Sequence, residues 1–199
     1  GGKHALEDYR KILKKRKTNG VVISQPYILK FKFLEKNKLK KKYKISNKKY
    51  FLLPNQYWRH KNHILVLKAL KYLNSKYKIN FDVVSTGNTY NWRDPDYFNE
   101  IKSFIKLHSL KNYRILGAIE HKDLLSLAHH SSGIINPSFS EGWSNSVELA
   151  KALNKINLLS DIKCHKEQSD RNSFFFKTKD YKKLAKLLIM KKKSKKKKI

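Results

Sequence analysis

The segment from Asn136 to Lys151 combines residue types that can bind an anion with one carboxylate, Glu141. The apolar run 133–135 enters this segment, and the helix-like run 147–153 leaves it. A strand, a tight turn and a helix in this order direct unpaired backbone N–H groups at an anion. A carboxylate beside such a helix start is unusual for a purely structural element. We therefore predict a functional role for Glu141, with a solvent-facing loop carboxylate as the alternative.

The residues after Glu141 are predicted to form the rest of this site. The N–H groups of Gly142, Trp143 and Ser144 can surround a phosphate group or sugar hydroxyls. Glycine permits close approach, and the indole can form an apolar wall. Asn145 is a predicted N-cap, and Glu148, three residues later, completes a capping-box-like spacing. Capping is the favoured interpretation of Asn145 and Glu148, and ligand binding is the alternative.

A second candidate segment is the polar loop 55–62, which lies between a predicted strand and a predicted helix. Lys61 in this loop can neutralise a diphosphate as a point charge. The alternative is that it is one more surface lysine in a chain with 46 Lys and Arg residues. Gln56 and Arg59 share the loop, and Gly87 ends the next predicted strand. We assign these three residues to the same binding site.

Short apolar strands alternate with helices of about ten to fifteen residues along the chain. The predicted strands are 21–24, 50–54, 79–85, 113–117, 133–136, 156–160 and 173–176, and the predicted helices are 5–13, 64–73, 94–107, 121–130, 145–153 and 180–190. Asp94 and Pro95 are the predicted N-cap and first residue of their helix. The Lys-rich segment Gln25–Asn47 is predicted to be a surface connection.

This alternation predicts an α/β fold, with a Rossmann-like parallel sheet, helices on both faces, and a short helical and linker segment before it. Ligands of such sheets bind at the carboxyl ends of the strands. The predicted polar loops 55–62, 86–94, 117–121 and 137–144 all lie at those ends. Their convergence supports one shared binding site.

The formal net charge of +31 is concentrated at the two ends of the chain. It suggests nucleic acid as a partner, but the aromatic residues are not interleaved with the basic runs as a stacking surface requires. The single cysteine, Cys164, excludes an intrachain disulfide and favours a reducing compartment. No His, Cys or carboxylate spacing is typical of a zinc site. We therefore expect a cytoplasmic protein without a metal or another cofactor, with contact with an anionic membrane as a further possibility for the Lys-rich tail.

Three ordered segments resemble one known family. They are Asn55–His63 (NQYWRHKNH), Ser140–Glu148 (SEGWSNSVE) and Leu159–Gln168 (LSDIKCHKEQ). Together they are similar to the C-terminal half of family-4 retaining glycosyltransferases (glycosyl transferases group 1), across residues 50–188. The resemblance implies a GT-B enzyme, in which two Rossmann-like domains face each other across a cleft and no metal is needed. It implies a remnant of the N-terminal domain and linker at 1–49, a donor-binding domain at 50–189 and a disordered tail at 190–199.

The resemblance also implies roles for particular residues, and it makes Glu141 and Lys61 the catalytic candidates. Lys61 matches the basic residue that neutralises the donor diphosphate, and Gln56 stands where many relatives have an arginine for the same task. Glu141 matches the first acid of the Glu-x7-Glu motif, which contacts the transferred sugar, and residues 142–145 match the backbone cradle. The second acid should lie at 149, where this chain has Leu149. Glu148 lies one position, or about 100° of helix rotation, away from that place.

The expected function is transfer of a sugar from a nucleotide sugar to a glycan or lipid-linked acceptor, in surface polysaccharide or lipopolysaccharide biosynthesis. The resemblance implies a hexosyltransferase-type enzyme with no cofactor beyond its nucleotide-sugar substrate. Two alternatives remain: an inactive remnant of such an enzyme, and a basic nucleic-acid-binding protein.

Overall fold

The computed structural model describes residues 32–77 and 81–193, which contain a six-stranded parallel sheet with helices around it. Its elements are α1 (Lys36–Tyr43), β1 (Lys49–Pro54), a 3-10 helix (Arg59–Lys61), α2 (His63–Lys76), β2 (Phe81–Thr86), α3 (Tyr97–Leu107), β3 (Tyr113–Ile115), α4 (His121–His130), β4 (Gly133–Asn136), α5 (Asn145–Ala152), β5 (Ile156–Ser160), α6 (Lys163–Gln168), β6 (Ser173–Phe176) and α7 (Tyr181–Lys193). The strand order is β3-β2-β1-β4-β5-β6, and every neighbouring pair is parallel. The predicted Rossmann-like α/β class is confirmed.

Alternate residues of β1 point to the two faces of the sheet, as in any strand. Phe51 and Leu53 join a buried cluster with Leu70 of α2 and Leu188 of α7. Tyr50 points the other way, and its hydroxyl donates to the backbone oxygen of Leu127 in α4, at 2.7 Å. Both faces of the central strand are therefore covered, which explains its almost uninterrupted apolar sequence.

Helix α2 shows how the sequence fixes the position of a helix. Most of its buried apolar residues recur at helical spacing, namely Leu65, Val66, Ala69, Leu70 and Leu73, and Leu67 is buried as well. Lys68 and Lys71 fall on the opposite, exposed face. Each buried leucine stabilises the fold by about 1.5–3 kcal/mol. The helix ends where Tyr77 turns to extended backbone and donates its N–H to the Leu73 oxygen.

Helix α1 lies where a surface connection was predicted, and that interpretation is wrong for residues 36–43. Only Leu39 is fully buried in this helix, so the segment lacks the apolar period that predicts a helix. Tertiary contacts hold it instead, since Lys42 donates to the carboxylate of Asp123 in α4 at 2.5 Å and Tyr43 donates to the same carboxylate. The Asp123 side chain is 1% exposed.

Two helix starts also differ from the prediction. Helix α3 begins at Tyr97, so the assignment of Asp94 as its N-cap is wrong. The N-cap of α5 is Ser144 rather than Asn145, and its side chain makes no capping hydrogen bond. The six-residue helix α6 was not predicted, because Cys164 is the only residue of its sequence KCHKEQ in the apolar set.

Several sequence predictions lie outside the described residues: the helix at 5–13, the strand at 21–24 and the tail from 194 onward. The proposed domain boundaries stay predictions. Helix α7 continues to Lys193, past the predicted tail boundary at residue 190.

Candidate functional site

Strands β1 and β4 lie side by side, although β2 and β3 separate them in the sequence. They pair at Leu52 and Ile134. The chain moves from β1 towards one edge of the sheet and from β4 towards the other, and such a switch point leaves a crevice at the carboxyl ends of the strands.

A cavity of about 330 Å³ occupies this crevice, and we call it the central cleft. The four loops predicted to converge at this edge all contribute to it. Its lining consists of Pro54, Asn55, Gln56, Trp58, Lys61, Thr86, Gly87, Asn88, Ala118, Ile119, Leu124, Glu141, Trp143, Ser144, Asn145 and Ser146.

Lys61 and Glu141 form an ion pair in the central cleft. The Lys61 Nζ lies 2.7 Å from both carboxylate oxygens of Glu141. The side chains are only 15% and 8% exposed, so water screens their attraction less than at the surface. The hydroxyl of Ser138 lies 2.7 Å from Oε1 of the same carboxylate. The structure therefore brings together the two residues that the sequence singled out as catalytic candidates.

The loop that carries Lys61 is fastened to the loop after β4. Asn62 adopts a left-handed conformation with φ of 55°, and its side-chain amide donates to the backbone oxygens of Pro137 and Thr178, both at 3.0 Å. The N–H of Phe139 donates to the His60 oxygen at 2.7 Å. Lys61 is thus held against the loop that contains Glu141.

Asn136, the last residue of β4, joins both sides of the central cleft. Its side-chain oxygen accepts from the amide of Asn55 at 3.2 Å and lies 2.7 Å from the Ser138 hydroxyl. Its NH2 group donates to the hydroxyls of Ser144 and Ser146, at 2.7 and 3.0 Å. Asn136 is fully buried, so this network fixes the ends of β1, β4 and α5 relative to one another.

Gly87 lies directly against the loop after β1. A Cβ atom there would be 2.4 Å from the backbone oxygen of Asn55, and the φ of 130° is a conformation that glycine tolerates. The next residue, Asn88, donates its N–H to the side-chain oxygen of Gln56 at 2.5 Å. Gln56 and Gly87 therefore position two neighbouring loops, and both line the central cleft.

The start of α5 partly fits the predicted anion cradle. The N–H of Ser144 donates to the side-chain oxygen of Gln168 at 2.9 Å, so it is already used within the protein. Within residues 32–77 and 81–193, the N–H groups of Gly142, Trp143 and Asn145 have no acceptor. A Cβ on Gly142 would meet no atom within 4 Å, which leaves the backbone there open to a ligand. Trp143 is 43% exposed beside it.

Glu148 lies outside the central cleft, in a buried network behind it. Its carboxylate accepts from the Gln168 amide at 2.9 Å and pairs with Lys151 at 3.1 Å. The Gln168 amide also donates to the Ser144 oxygen at 3.1 Å. Glu148 therefore supports the start of α5 through Gln168 and does not form the predicted capping box. Leu149, at the place of the expected second acid, is buried.

The buried side chain of His63 supports the loop after β1. Its Nε2 lies 3.0 Å from the Gln56 oxygen, and its Nδ1 lies 2.9 Å from the Tyr113 hydroxyl. A neutral ring that donates from Nε2 and accepts at Nδ1 satisfies both contacts. Burial, with a smaller contribution from the Lys61 charge, lowers the pKa of His63 to about 4. The ring therefore stays neutral at pH 7.

Arg59 does not line the central cleft. It lines a neighbouring cavity of about 940 Å³, which we call the aromatic cleft, together with Gln56, Trp58, His60, Asn88, Tyr90, Asn91, Trp92, Arg93, Asp94 and Phe139. The guanidinium pairs with Asp94 and Glu100, each at 2.7 Å. These two carboxylates raise the pKa of Arg59 and occupy its donors. Its assignment to donor binding stays a prediction that this geometry does not favour.

Among the described residues, no group of three or more His, Cys, Asp or Glu side chains is arranged to hold a metal ion. The expectation of a metal-free protein stays a prediction. In the same part of the chain, every helix is too short or too polar to cross a membrane.

The fold and the central cleft together define a Rossmann-like α/β unit with an anion-compatible site at its switch point. Comparison with protein families matches residues 35–198 to glycosyl transferases group 1. The chain therefore belongs to this family. A comparison with curated protein sequences found no match.

Solved glycosyltransferase structures share this fold. A glycosyltransferase from Rickettsia africae is 23% identical with a TM-score of 0.69, and the match covers 79% of this chain and 42% of that one. HepE from Anabaena, solved with UDP-glucose, is 16% identical with a TM-score of 0.70 and the same coverage. Sucrose-phosphate synthase from Thermosynechococcus elongatus is 12% identical with a TM-score of 0.66, covering 82% of this chain and 40% of that one. The chain thus spans well under half the length of these relatives.

Sequence reasoning missed three residues that build the site: Asn136, His63 and Gln168. A signal existed for Asn136, because an asparagine that ends an apolar strand is buried only with hydrogen-bond partners. His63 stands at the start of an apolar helix face, and Gln168 is separated by 24 residues from the Ser144 backbone that it holds. Nothing in the local sequence predicts the contact between Gln168 and Ser144.

Proposed function

We propose that the central cleft binds the nucleotide-sugar donor of a glycosyltransferase. The observation that supports this most is the Lys61–Glu141 ion pair, which lies at the switch point beside the start of α5. A cation and a helix N-terminus together suit a diphosphate. The adjacent carboxylate suits the hydroxyl groups of a sugar, which are hydrogen-bond donors.

The chemistry follows from where charge develops. When the bond between the sugar and the diphosphate breaks, negative charge accumulates on the departing phosphate oxygens. In this proposal, Lys61 and the N–H groups of Gly142 and Trp143 stabilise that charge more strongly than the charge of the bound donor. Glu141 holds the Lys61 ammonium in place at 2.7 Å and orients the sugar by accepting from its hydroxyls. Gln56 contributes a neutral amide to this surface, which makes its contribution to diphosphate binding weaker than that of an arginine.

The rest of the proposed function concerns the acceptor and the place of action. We propose hexosyl transfer to a glycan or lipid-linked acceptor during surface polysaccharide or lipopolysaccharide assembly, in the cytoplasm and beside the membrane. The family and the solved relatives with UDP and UDP-glucose support the donor class. The net charge of +31 supports contact with an anionic lipid surface.

Titration calorimetry of the 199-residue chain with UDP, GDP and ADP tests the donor assignment. We expect at least one nucleotide to bind with a dissociation constant in the range of about 10 µM to 1 mM. Lys61→Met should weaken that binding about tenfold or more, because no other lysine lines the central cleft among the described residues. Lys68→Met, which removes an exposed lysine from α2, is the matched control and should bind like the parent chain.

Each other result has a defined meaning. If no nucleotide binds to a folded chain at millimolar concentration, the donor proposal is wrong and an inactive remnant is favoured. The basic nucleic-acid-binding alternative predicts a different result. Lys61→Met and Lys68→Met would then weaken binding equally, and binding would depend steeply on salt and show no preference among nucleotides.

A further inference from the structure

The ion pair of Lys61 and Glu141 uses most of the hydrogen-bonding capacity of both side chains. An ammonium group has three N–H donors, and the Lys61 Nζ lies 2.7 Å from each carboxylate oxygen of Glu141. Two of the three donors are therefore directed at Glu141. A carboxylate has about four acceptor sites. Lys61 takes one site on each oxygen, and the Ser138 hydroxyl, 2.7 Å from Oε1, can take a third.

The surroundings of this pair make a separation of the two charges costly. The side chains of Lys61 and Glu141 are 15% and 8% exposed, so water replaces a lost partner only in part. The two loops that carry them are tied together by the Asn62 amide on the Pro137 oxygen and by the Phe139 N–H on the His60 oxygen. A ligand of the central cleft therefore competes for the side-chain groups of the pair and leaves the backbone in place.

The two parts of a nucleotide sugar compete for opposite members of the pair. A phosphate has acceptors and negative charge, so it competes with Glu141 for the donors of Lys61 and is repelled by the carboxylate. A sugar hydroxyl is a donor, so it competes with Lys61 for the oxygens of Glu141. When both parts bind together, the hydroxyls satisfy Glu141 while Lys61 turns to the phosphate. Each part of the ligand thus compensates the partner that the other part removes.

We propose that the Lys61–Glu141 pair makes the central cleft select an intact nucleotide sugar over the nucleoside diphosphate that remains after transfer. The inference rests on the proposed donor function of this cleft. A diphosphate alone takes Lys61 without supplying a donor to Glu141, and the buried carboxylate then keeps only the Ser138 hydroxyl. Glu141 is therefore a specificity-determining residue, which favours binding of the donor and release of the product.

Ser138 is the positioning residue for this exchange. Its hydroxyl lies 2.7 Å from both the Glu141 Oε1 and the Asn136 Oδ1. With one proton it donates to only one of these acceptors at a time. A turn of the hydroxyl therefore supplies a donor to Glu141 when Lys61 leaves and withdraws it when a sugar hydroxyl arrives. Ser138 is fully buried, so it acts on Glu141 and not on the ligand.

Titration calorimetry of the 199-residue chain tests the proposal by comparing each diphosphate with its sugar derivatives: UDP with UDP-glucose and UDP-N-acetylglucosamine, GDP with GDP-mannose, and ADP with ADP-glucose. We expect the parent chain to bind a nucleotide sugar more tightly than its diphosphate. Glu141→Gln keeps the shape of the side chain and removes its charge. It should bind the diphosphate about tenfold more tightly and lower the preference for the nucleotide sugar about tenfold or more.

Glu35→Gln is the matched control, because it removes the same charge from an exposed residue before α1 that lines neither cleft. It should bind every ligand like the parent chain. Ser138→Ala is a second test with the opposite sign, since it removes a donor from Glu141 and keeps the charge. It should weaken diphosphate binding more than nucleotide-sugar binding and raise the preference about threefold. Ser131→Ala, at a buried serine after α4, is its control.

The contrary results are distinct. Diphosphate binding that Glu141→Gln weakens or leaves unchanged would overturn the proposal, because Glu141 would then only hold Lys61 or only contact the sugar. Equal tightening of both ligands would show repulsion without exchange and would also overturn it, as would a parent chain that prefers no nucleotide sugar or an unchanged preference in Ser138→Ala. The donor proposal stands in all these cases, since the diphosphate binds. If no ligand binds to the folded parent chain, the donor proposal itself fails.

Discussion

The central cleft and the aromatic cleft share Gln56, Trp58 and Asn88, but they are built in opposite ways. The central cleft is formed by buried polar groups that bond to one another, with Asn136 and His63 behind its surface. The aromatic cleft is formed by exposed rings and by the surface ion pair of Arg59 with Asp94. Buried polar networks specify one geometry, because an unpaired member costs free energy. Exposed rings keep freedom to adapt. The first arrangement therefore fixes its geometry more tightly than the second.

The largest expected effect on stability concerns two glycines in the loops around the central cleft, Gly87 and Gly142. Gly87→Ala places a Cβ 2.4 Å from the Asn55 oxygen, at a φ of 130°. We expect it to lower the free energy of unfolding by about 3 kcal/mol, through strain and displacement of backbone. Gly142→Ala, where no atom lies within 4 Å, should change stability by less than about 1 kcal/mol. Urea denaturation of both variants measures the difference, and equal effects would show that the central cleft is not held by this close approach.

Because His63 is buried behind the central cleft, we expect the free energy of unfolding to depend on pH. Its pKa is about 4 in the folded chain and 6.5 in the unfolded reference, so the unfolded state binds more protons between these values. The stability that His63 contributes is therefore fully present above pH 6.5 and is lost as the pH falls towards 4. The linked loss is about 3 kcal/mol.

Urea denaturation at several pH values checks this expectation. The curve of stability against pH for His63→Gln should be flatter between pH 4 and 6.5 than that of the parent chain. Parallel curves for the two proteins would contradict the assignment of a buried neutral ring.

The ion pairs Lys61–Glu141 and Arg59–Glu100 allow a second comparison of the two clefts. A double-mutant cycle on Lys61 and Glu141, whose side chains are 15% and 8% exposed, should give a coupling free energy of about 2 kcal/mol. The same cycle on Arg59 and Glu100, which are 53% and 48% exposed, should give less than about 1 kcal/mol. Thermal or urea unfolding of the six variants and the parent measures both couplings. A stronger coupling at Arg59 would reverse the proposed division between a fixed and an adaptable cleft.

The smallest expected effect belongs to the exposed rings. Trp92→Ala removes a side chain that is 70% exposed, so the free energy of unfolding should change by about 0.5 kcal/mol or less. Tyr57→Ala is the contrasting change, because Tyr57 is 1% exposed and donates to the Ser85 hydroxyl at 2.8 Å. It should cost about 3 kcal/mol or more. A large loss of stability in Trp92→Ala would mean that this exposed ring supports the fold.

The sequence predicts the sheet and its helices well, because most of these elements have a recognisable pattern of apolar residues within their own sequence. Helix α2 is recognisable from its buried leucines alone, and β4 from an apolar run that ends in Asn136. Helix α1 could not be predicted, because Asp123, about 80 positions later, supplies its partners. The ion pairs of Arg59 could not be predicted for the same reason, because its partners Asp94 and Glu100 are also distant in the sequence. A motif places a residue in a loop, but distant side chains decide which way it points.

In the candidate site, the sequence predicts which residues lie there but not which of their hydrogen-bond donors are available to a ligand. Glu141 and Lys61 were selected by their places at strand ends, and the structure puts them 2.7 Å apart. Ser144 was expected to offer its N–H to a ligand, yet Gln168 takes that N–H. Hydrogen-bond satisfaction depends on the whole fold, so a local pattern cannot tell an available donor from an occupied one.

A crystal structure of the 199-residue chain with the nucleoside diphosphate that binds most tightly is the most direct test of the account. We predict that the terminal phosphate lies within hydrogen-bond distance of the Lys61 Nζ and of the N–H groups of Gly142 and Trp143, in the central cleft. A nucleotide whose phosphates lie in the aromatic cleft, or away from the start of α5, would contradict it.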